Sequence, residues 1–327
     1  MNKIKEFIKS EYKFIILIIV ITLLCYIKLP YYIYAPGGTI NITDRVEMEG
    51  YNNREGSLNM LYVSEYKATP VMYLYAKVMV YEISPNQNKQ ISNESMKEAE
   101  IRNKIMRDNS LDIATMVAYS KAGKNINIKS KKNVVIATTN DNGLEIGDII
   151  LEVDGIKCEE VEDIKKIIKS KEVGDNINFK ILRNNKEKEI ESEILLEDNS
   201  KVVGIVIITQ YDYDLEPDID IKFKNSESGA SGGLMLTLTI YNAISDYDII
   251  KGRNISGTGT ISSDGSVGEI DGVKYKIMGA YKDGMDIVFV PSSNYEEAIE
   301  TKDKYNYDIE IIKVDTFDEA VEYLKNN

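Results

Sequence analysis

The chain has 327 residues, 43% hydrophobic and 28% charged, a balance that suits two or three modest folded domains and excludes wholesale disorder. A formal net charge of −13 argues against nucleic acid or anionic lipid as the main partner, because phosphate contacts need clustered lysine and arginine. Histidine is absent, which removes Ser-His-Asp and Cys-His catalysis and histidine metal sites, and the two cysteines, Cys25 and Cys158, make no zinc site by themselves.

Residues 1–13 carry Lys3, Lys5, Lys9 and Lys13, and Phe14–Ile27 is apolar apart from Thr22 and Cys25. With Lys28 snorkelling and Leu29–Ala35 added, residues 14–35 reach the length of a transmembrane helix at about 1.5 Å per residue. Tyr26, Tyr31, Tyr32 and Tyr34 resemble an interfacial aromatic belt. The lysines ahead of the run place the N-terminus in the cytoplasm and everything after residue 35 outside the cell. A cleaved signal peptide is the rival reading. Against it, Ile33-Tyr-Ala35 is a poor small-x-small site and Pro36 would follow the cut, so an uncleaved single-pass anchor in the cytoplasmic membrane is expected.

Residues 36–123 read as a region of strands, turns and helices. Pro36-Gly-Gly and Asn52-Asn-Arg-Glu-Gly56 are turns, Leu58–Val63 and Val71–Ile83 are β-rich runs, and Pro85-Asn-Gln-Asn is a loop. Ser95-x-x-Glu98 is a capping box that opens a helix near Ser95–Met106, and a second helix near Leu111–Lys121 closes at Gly123.

Residues 124–198 form a compact unit. Val134–Thr138 is a strand, Asn142-Gly-Leu-Glu-Ile-Gly-Asp148 turns into the strand Ile149–Val153, and Asp154-Gly155 is a hairpin-type turn. Val161–Lys169 is an amphipathic helix with Val161, Ile164 and Ile168 inward, and strands Ile177–Leu182 and Glu189–Leu195 follow. Gly-Leu-x-x-Gly-Asp-x-Ile-x-x-Val-Asp-Gly, then a helix and a Gly-Asp strand, resembles a PDZ domain of the bacterial protease-associated kind. That resemblance implies binding of an extended peptide as an added strand, although no clear carboxylate-binding loop is visible.

Residues 199–327 alternate strands and helices in an α/β pattern. Strands are expected at Val202–Thr209, Ile219–Phe223, Asn254–Ile261, Asp286–Val290 and Asp308–Val314, and helices at about 231–245, 272–283, 294–303 and 316–325.

The chemistry centres on Asn225–Tyr241, where three serines and a run of small residues lead into an apolar helical pattern. Ser231 sits at that junction, and the N–H groups of a helix start point at developing negative charge. An isolated serine there would be a cap. Without histidine, its general base must be another residue. Gly257-Thr-Gly-Thr-Ile261, followed by Gly265-Ser-Val-Gly-Glu-Ile-Asp-Gly-Val-Lys274, puts a lysine at the next helix start. Burial and a positive helix end would lower the pKa of Lys274, so that it takes the Ser231 proton and the alkoxide attacks a peptide carbonyl. Lys276 faces elsewhere if 273–283 is helical, since two residues are about 200° of turn.

The order Gly-Ala-Ser-Gly-Gly-Leu-Met, Gly-Thr-Gly-Thr-Ile and Asp-Gly-Val-Lys resembles the proteolytic domain of Lon proteases, and the 43 residues from Ser231 to Lys274 agree with that family. With the anchor, the PDZ-like unit, Tyr34-Ala-Pro-Gly-Gly and Ala118–Gly123, the whole chain resembles the membrane-anchored PDZ-containing Lon-like proteases of Gram-positive bacteria. The resemblance implies a multidomain α/β and α+β protein: a cytoplasmic tail (1–13), a transmembrane anchor (14–35), a strand-and-helix region (36–123), a PDZ-like domain (124–198) and a Lon-type proteolytic domain (199–327) of the ribosomal protein S5 domain 2-like fold. It implies Ser231 as nucleophile, Lys274 as base, Thr258 orienting the lysine, and the backbone N–H groups of Ser231 and Gly232 as oxyanion hole.

The family's Pro-Ser-Ala-Gly stands here as Ala230-Ser-Gly-Gly, and its acidic residue three places before the serine as Ser228. No Gly-x-x-x-x-Gly-Lys-Ser/Thr phosphate loop occurs in the sequence. The expected activity is an ATP-independent endopeptidase, without metal or organic cofactor, that cleaves secreted or membrane-associated peptides and proteins outside the membrane. Two alternatives stand beside it: a catalytically silent adaptor built from the PDZ unit and the Lon-like cleft, and a Ser-Lys hydrolase of a non-protein amide.

Overall fold

Pro30 decides where the N-terminal helix stops, because proline lacks an N–H and pushes the preceding residue out of helical geometry. The computed structural model describes residues 2–50, 55–85, 95–138, 142–224, 227 and 229–327, with 2–9 and 96 through their backbone only. The turn positions 52–54, the loop positions 86–88, Asn225, Ser226 and Ser228 lie outside the described residues.

In chain order come helix α1 (Asn2–Tyr26), strands β1 (Tyr32–Asn41), β2 (Val46–Glu47) and β3 (Ser57–Lys67), helix α2 (Pro70–Val78), strand β4 (Glu82–Ser84) and helix α3 (Met96–Ala122). Next are strands β5 (Asn125–Thr138), β6 (Ile149–Val153) and β7 (Ile156–Lys157), then helix α4 (Val161–Ser170). Strands β8 (Asn176–Arg183), β9 (Lys186–Glu193), β10 (Leu195–Glu197), β11 (Ser200–Val202), β12 (Ile205–Glu216) and β13 (Asp220–Ile221) follow. The last third holds α5 (Gly233–Ile244), β14 (Asn254–Gly257), β15 (Thr260–Ile261), β16 (Val267–Gly268), α6 (Val273–Lys282), β17 (Ile287–Pro291), α7 (Tyr295–Tyr305), β18 (Glu310–Val314) and α8 (Phe317–Asn326).

Among the described residues, no helix is long and apolar enough to cross a membrane. The expected span of 14–35 is therefore corrected at its C-terminal end: α1 stops at Tyr26, and residues 32–35 begin β1, where Tyr32 and Ile33 are buried. The apolar side chains of α1 from Phe14 onward remain largely exposed.

The run Val71–Ile83, expected as β-rich, contains helix α2 and only the short strand β4. Thr69 Oγ1 accepts from Met72 N at 3.3 Å and Pro70 occupies the first turn, and these start signals override the strand preference of valine and tyrosine. The two helices expected near 95–106 and 111–121 are one helix, α3. The capping box forms as read, with Ser95 N donating to Glu98 at 2.8 Å, and Gly123 closes the helix at φ 66°.

One six-stranded sheet runs β18-β17-β14-β3-β1-β4. Strands β14, β17 and β18 are parallel, β3 joins β14 in parallel, and β1 lies antiparallel between β3 and β4. Residues 32–84 thus supply half of the sheet whose other half comes from residues 254–314. The expected division into separate 36–123 and 199–327 regions gives way to a single α/β domain. Its core also joins α3 to α5, with Ala114, Val117 and Ala118 in one buried cluster with Leu234, Leu238 and Ile255.

The PDZ unit is inserted into this domain. Its sheet runs β12-β5-β6-β8-β9, and its core holds Val135, Ile150, Ile164, Ile168, Phe179 and Val203. Ile205 and Ile207 of β12 pack on the same core, so residues beyond the expected boundary at 198 complete the PDZ unit. Strands β5 and β12 then continue as an antiparallel ribbon to the pair Asn125 and Glu216, which returns the chain to the larger domain.

Candidate active site

Helix α5 is mostly apolar and entirely buried, so its N-terminus is fixed by the core around it. Ser231, half-buried, immediately precedes it. The Ser231 carbonyl accepts from Gly259 N at 2.8 Å and from Thr258 Oγ1 at 3.1 Å. Gly259 has φ 149°, and a β-carbon there would come within 2.6 Å of Val267 Cγ1, so the clasp requires glycine. Leu234 N returns to Gly259 O at 3.1 Å. Among the described residues, the N–H groups of Ser231 and Gly232 donate to no acceptor, which leaves both donors for a ligand atom.

The loop before Ser231 is strapped to α3. Gly229 N donates to Asn103 O at 3.0 Å, Arg107 Nη1 to Glu227 O at 2.9 Å, and Ser110 Oγ to Ala230 O at 3.3 Å. Asn103, Arg107 and Ser110 recur at helical spacing and share one face of α3. Arg45 grips the Glu227 carboxylate from the other side. Helix α3, which precedes the PDZ unit in sequence, therefore holds the serine loop that follows it.

The structure separates the two lysines of α6. Val273, Lys276, Ile277 and Ala280 lie on its buried face, and Lys276 is 3% exposed. Lys276 Nζ donates to Thr258 Oγ1 at 3.0 Å. Burial pulls its pKa from the ordinary lysine value down to about 7, against the opposing pull of the Asp271 carboxylate. Lys274 instead directs Nζ toward Val80 O at 3.3 Å and lies over the Tyr275 ring. The expectation that Lys274 enters the cleft is corrected. Two residues are about 200° of helix, and that rotation puts Lys276 inside and Lys274 outside. The legible signal was the stripe Val273, Lys276, Ile277, Ala280, in which Lys276 takes an apolar place.

Thr258, expected to orient a lysine, meets Lys276. Its one hydroxyl proton is used on the Ser231 carbonyl, so its oxygen must accept from the lysine. An uncharged Lys276 held this way keeps its lone pair for another donor. The segment Tyr34-Ala-Pro-Gly-Gly seats the same helix. The β1–β3 register shifts between Pro36 and Gly38, and a β-carbon on Gly279 of α6 would lie 3.0 Å from Gly38 N. Among the described residues, no group of histidine, cysteine or carboxylate side chains is arranged to hold a metal ion.

Comparison with known proteins matches two segments of the chain to two families. Residues 218–326 match the Lon protease (S16) C-terminal proteolytic domain, and residues 128–194 match a PDZ domain. Over 98 residues, 30% of this chain and 11% of the relative, the sequence is 33% identical to the Lon protease of Mesomycoplasma hyopneumoniae. Over 109 residues, 33% of this chain and 15% of the relative, it is 31% identical to the archaeal Lon protease of Halobacterium salinarum. The chain thus spans only a small part of the curated relatives it matches. Among solved structures, the PDZ domain of an SdrC-like protein from Listeria innocua is 26% identical, covering 23% of this chain and 92% of that one with a TM-score of 0.22. The chain carries a Lon-type proteolytic domain and a PDZ domain, and the matches support a serine peptidase.

Proposed function

We propose that this chain is a serine endopeptidase in which Ser231 is the nucleophile and Lys276, rather than Lys274, is the general base. The observation that carries this reading is the buried link from Lys276 Nζ through Thr258 Oγ1 to the Ser231 carbonyl. Neutral Lys276 takes the proton from Ser231 Oγ as that oxygen attacks the scissile carbonyl. The N–H groups of Ser231 and Gly232 receive the resulting oxyanion. The lysine then passes its proton to the leaving amine, and water, activated by the same lysine, hydrolyses the acyl-enzyme. Hydrolysis proceeds without ATP, a reading supported by the lack of a phosphate-loop motif in the sequence.

Substrate is a flexible peptide or protein segment. The PDZ unit holds it as an added strand along β12, a reading supported by the edge position of β12 and by α4 packed beside it. The chain works at the outer face of the cytoplasmic membrane, with α1 as its attachment. In support, apolar side chains of α1 are exposed, and α2 alongside turns Val71, Leu74, Tyr75 and Val78 outward at helical spacing.

The test is hydrolysis of unstructured peptides by the full chain in detergent, without ATP. The parent cleaves, and Ser231→Ala and Lys276→Met do not. Cleavage that survives either change overturns the dyad, and a parent that binds peptide but cleaves none supports the adaptor.

A further inference from the structure

The residue after the nucleophile is glycine for a reason that its own backbone does not supply. Gly232 has φ −93° and ψ −1°, a conformation open to any residue. Its surroundings are filled by one flexible side chain. A β-carbon built there would lie 2.2 Å from Met60 Sδ, 3.2 Å from Met60 Cγ and 3.7 Å from Met60 Cε, so all three nearest atoms belong to one side chain. Met60 sits on β3 at the point where β14 ends, paired with Gly257 on one side and Ile40 on the other. A second methionine mirrors the contact: Met235, in the first turn of α5, stands where a β-carbon of Gly257 would be, at 2.7 Å. Two thioethers thus interlock the start of α5 with β3 and β14, each fitted to a glycine on the opposite element. Methionine suits this use, because its unbranched chain fills a narrow gap without strain.

We propose that Met60 is a positioning residue of the proteolytic site. Its thioether fills the place of the missing β-carbon at 232 and holds Ser231 and Gly232, with their two backbone N–H donors, against Thr258 and Lys276. The pair Met60 and Gly232 does the work that a small side chain after the serine would do alone. The inference rests on Ser231 being the nucleophile.

A double-mutant cycle in the full chain tests it, read as kcat and KM on a flexible peptide and as the rate of Ser231 labelling by a fluorophosphonate. Met60→Ala leaves a gap and lowers kcat by roughly tenfold to a hundredfold, Gly232→Ala pushes the flexible end of Met60 aside and lowers kcat by roughly threefold to tenfold, and both leave KM within about twofold. Met60→Leu, which keeps the volume, retains most of kcat. The combined Met60→Ala/Gly232→Ala chain recovers to within about threefold of the parent, because the added methyl refills the gap. If Gly232→Ala does not fold, the double variant must still exceed Met60→Ala alone. Losses that simply multiply, or an unchanged Met60→Ala, overturn the role of Met60 while labelled Ser231 leaves the nucleophile standing. A parent that hydrolyses nothing and takes no label at Ser231 overturns both.

Discussion

Lys276 Nζ lies 3.0 Å from Thr258 Oγ1 on the buried side of α6, while Lys274, two residues earlier, turns toward the Val80 carbonyl. Only one of them can exchange a proton with a group in the Ser231 cleft. Lys276→Met is expected to lower kcat by about 10²–10⁴-fold, the usual contribution of a general acid–base residue. Lys274→Met should leave it within about twofold. Steady-state hydrolysis by the two variants, side by side, decides between the lysines; the reverse ranking would restore Lys274.

The pH dependence follows from the same side chain. Its pKa is pulled down to about 7 by burial, and only the neutral form has a lone pair to accept the serine proton. Activity should rise about tenfold per unit below pH 7 and level off above it. A kcat/KM profile from pH 5 to 9 measures this. A rise that continues unbroken to pH 9 would show that a group with an ordinary lysine pKa sets the rate, and a profile flat from pH 5 to 9 would show that no lysine does.

Burial of an amine also costs stability. Between about pH 7 and the ordinary lysine value, the unfolded chain binds a proton at residue 276 that the folded chain does not, so parent stability rises with pH across that window. Below the window the full penalty is present. Lys276→Met removes the penalty and should raise stability by a few kcal/mol at pH 6 to 7, with the gain shrinking as pH approaches 10. Denaturant unfolding at several pH values checks it. A Lys276→Met chain less stable than the parent at pH 6 would mean that the amine is held charged by partners.

The C-terminal α/β alternation was legible because β14, β17, β18 and their helices follow one another with clear periodicity and turn signals. So was the PDZ core, where Gly147-Asp148 and the inward Ile164 and Ile168 stand close together in sequence. Two features were hidden by long-range pairing. Strands β1 and β3 join β14 across an inserted domain, and no local pattern encodes that partnership. The strand that completes the PDZ unit comes after the motif that identifies it. The lysine was sought at the helix start and by residue count, and neither shows which side of α6 enters the core. The apolar stripe of α6, judged by rotation alone, points to Lys276. The N-terminal anchor was overextended because Leu29–Ala35 is apolar enough for lipid, although Pro30 ends the helix and β1 buries those residues in a sheet.

If β1 is a structural strand of the proteolytic domain, then damage there should unfold the distant site. A β-carbon on Gly37 would stand 2.1 Å from the Tyr62 carbonyl oxygen, a backbone atom held by the sheet. Gly37→Ala is therefore expected to destabilise the chain by about 1–3 kcal/mol or more and to lower peptide hydrolysis with it. Thermal unfolding followed by Ser231 labelling would register both. A normal melting temperature would argue that β1 docks loosely and that residues 218–326 suffice for the fold.

The PDZ ribbon is coupled to the helix that straps the serine loop. Asp112 of α3 accepts from Tyr211 N and Tyr213 Oη of β12, both at 3.1 Å, two residues beyond Ser110 and its contact with Ala230 O. Desolvation pushes the Asp112 carboxyl up to about 6, a rise that its two hydrogen bonds resist and the nearby Asp108 charge reinforces. A carboxyl with a raised folded pKa binds a proton in the folded chain that the unfolded chain releases. Its contribution to stability is thus present below the unfolded value, near 4, and is lost as pH rises through 6. Asp112→Asn keeps an acceptor but cannot ionise, so it should flatten the decline in stability between pH 4 and 6. Because α3 grips both the ribbon and the serine loop, the same change should alter kcat above pH 6 more than KM. Unfolding curves and kinetics of Asp112→Asn at pH 4.5 and 7 test both parts. An undiminished decline would locate the titration at another carboxylate, and unchanged kcat would show that the ribbon and the serine loop are held by α3 independently.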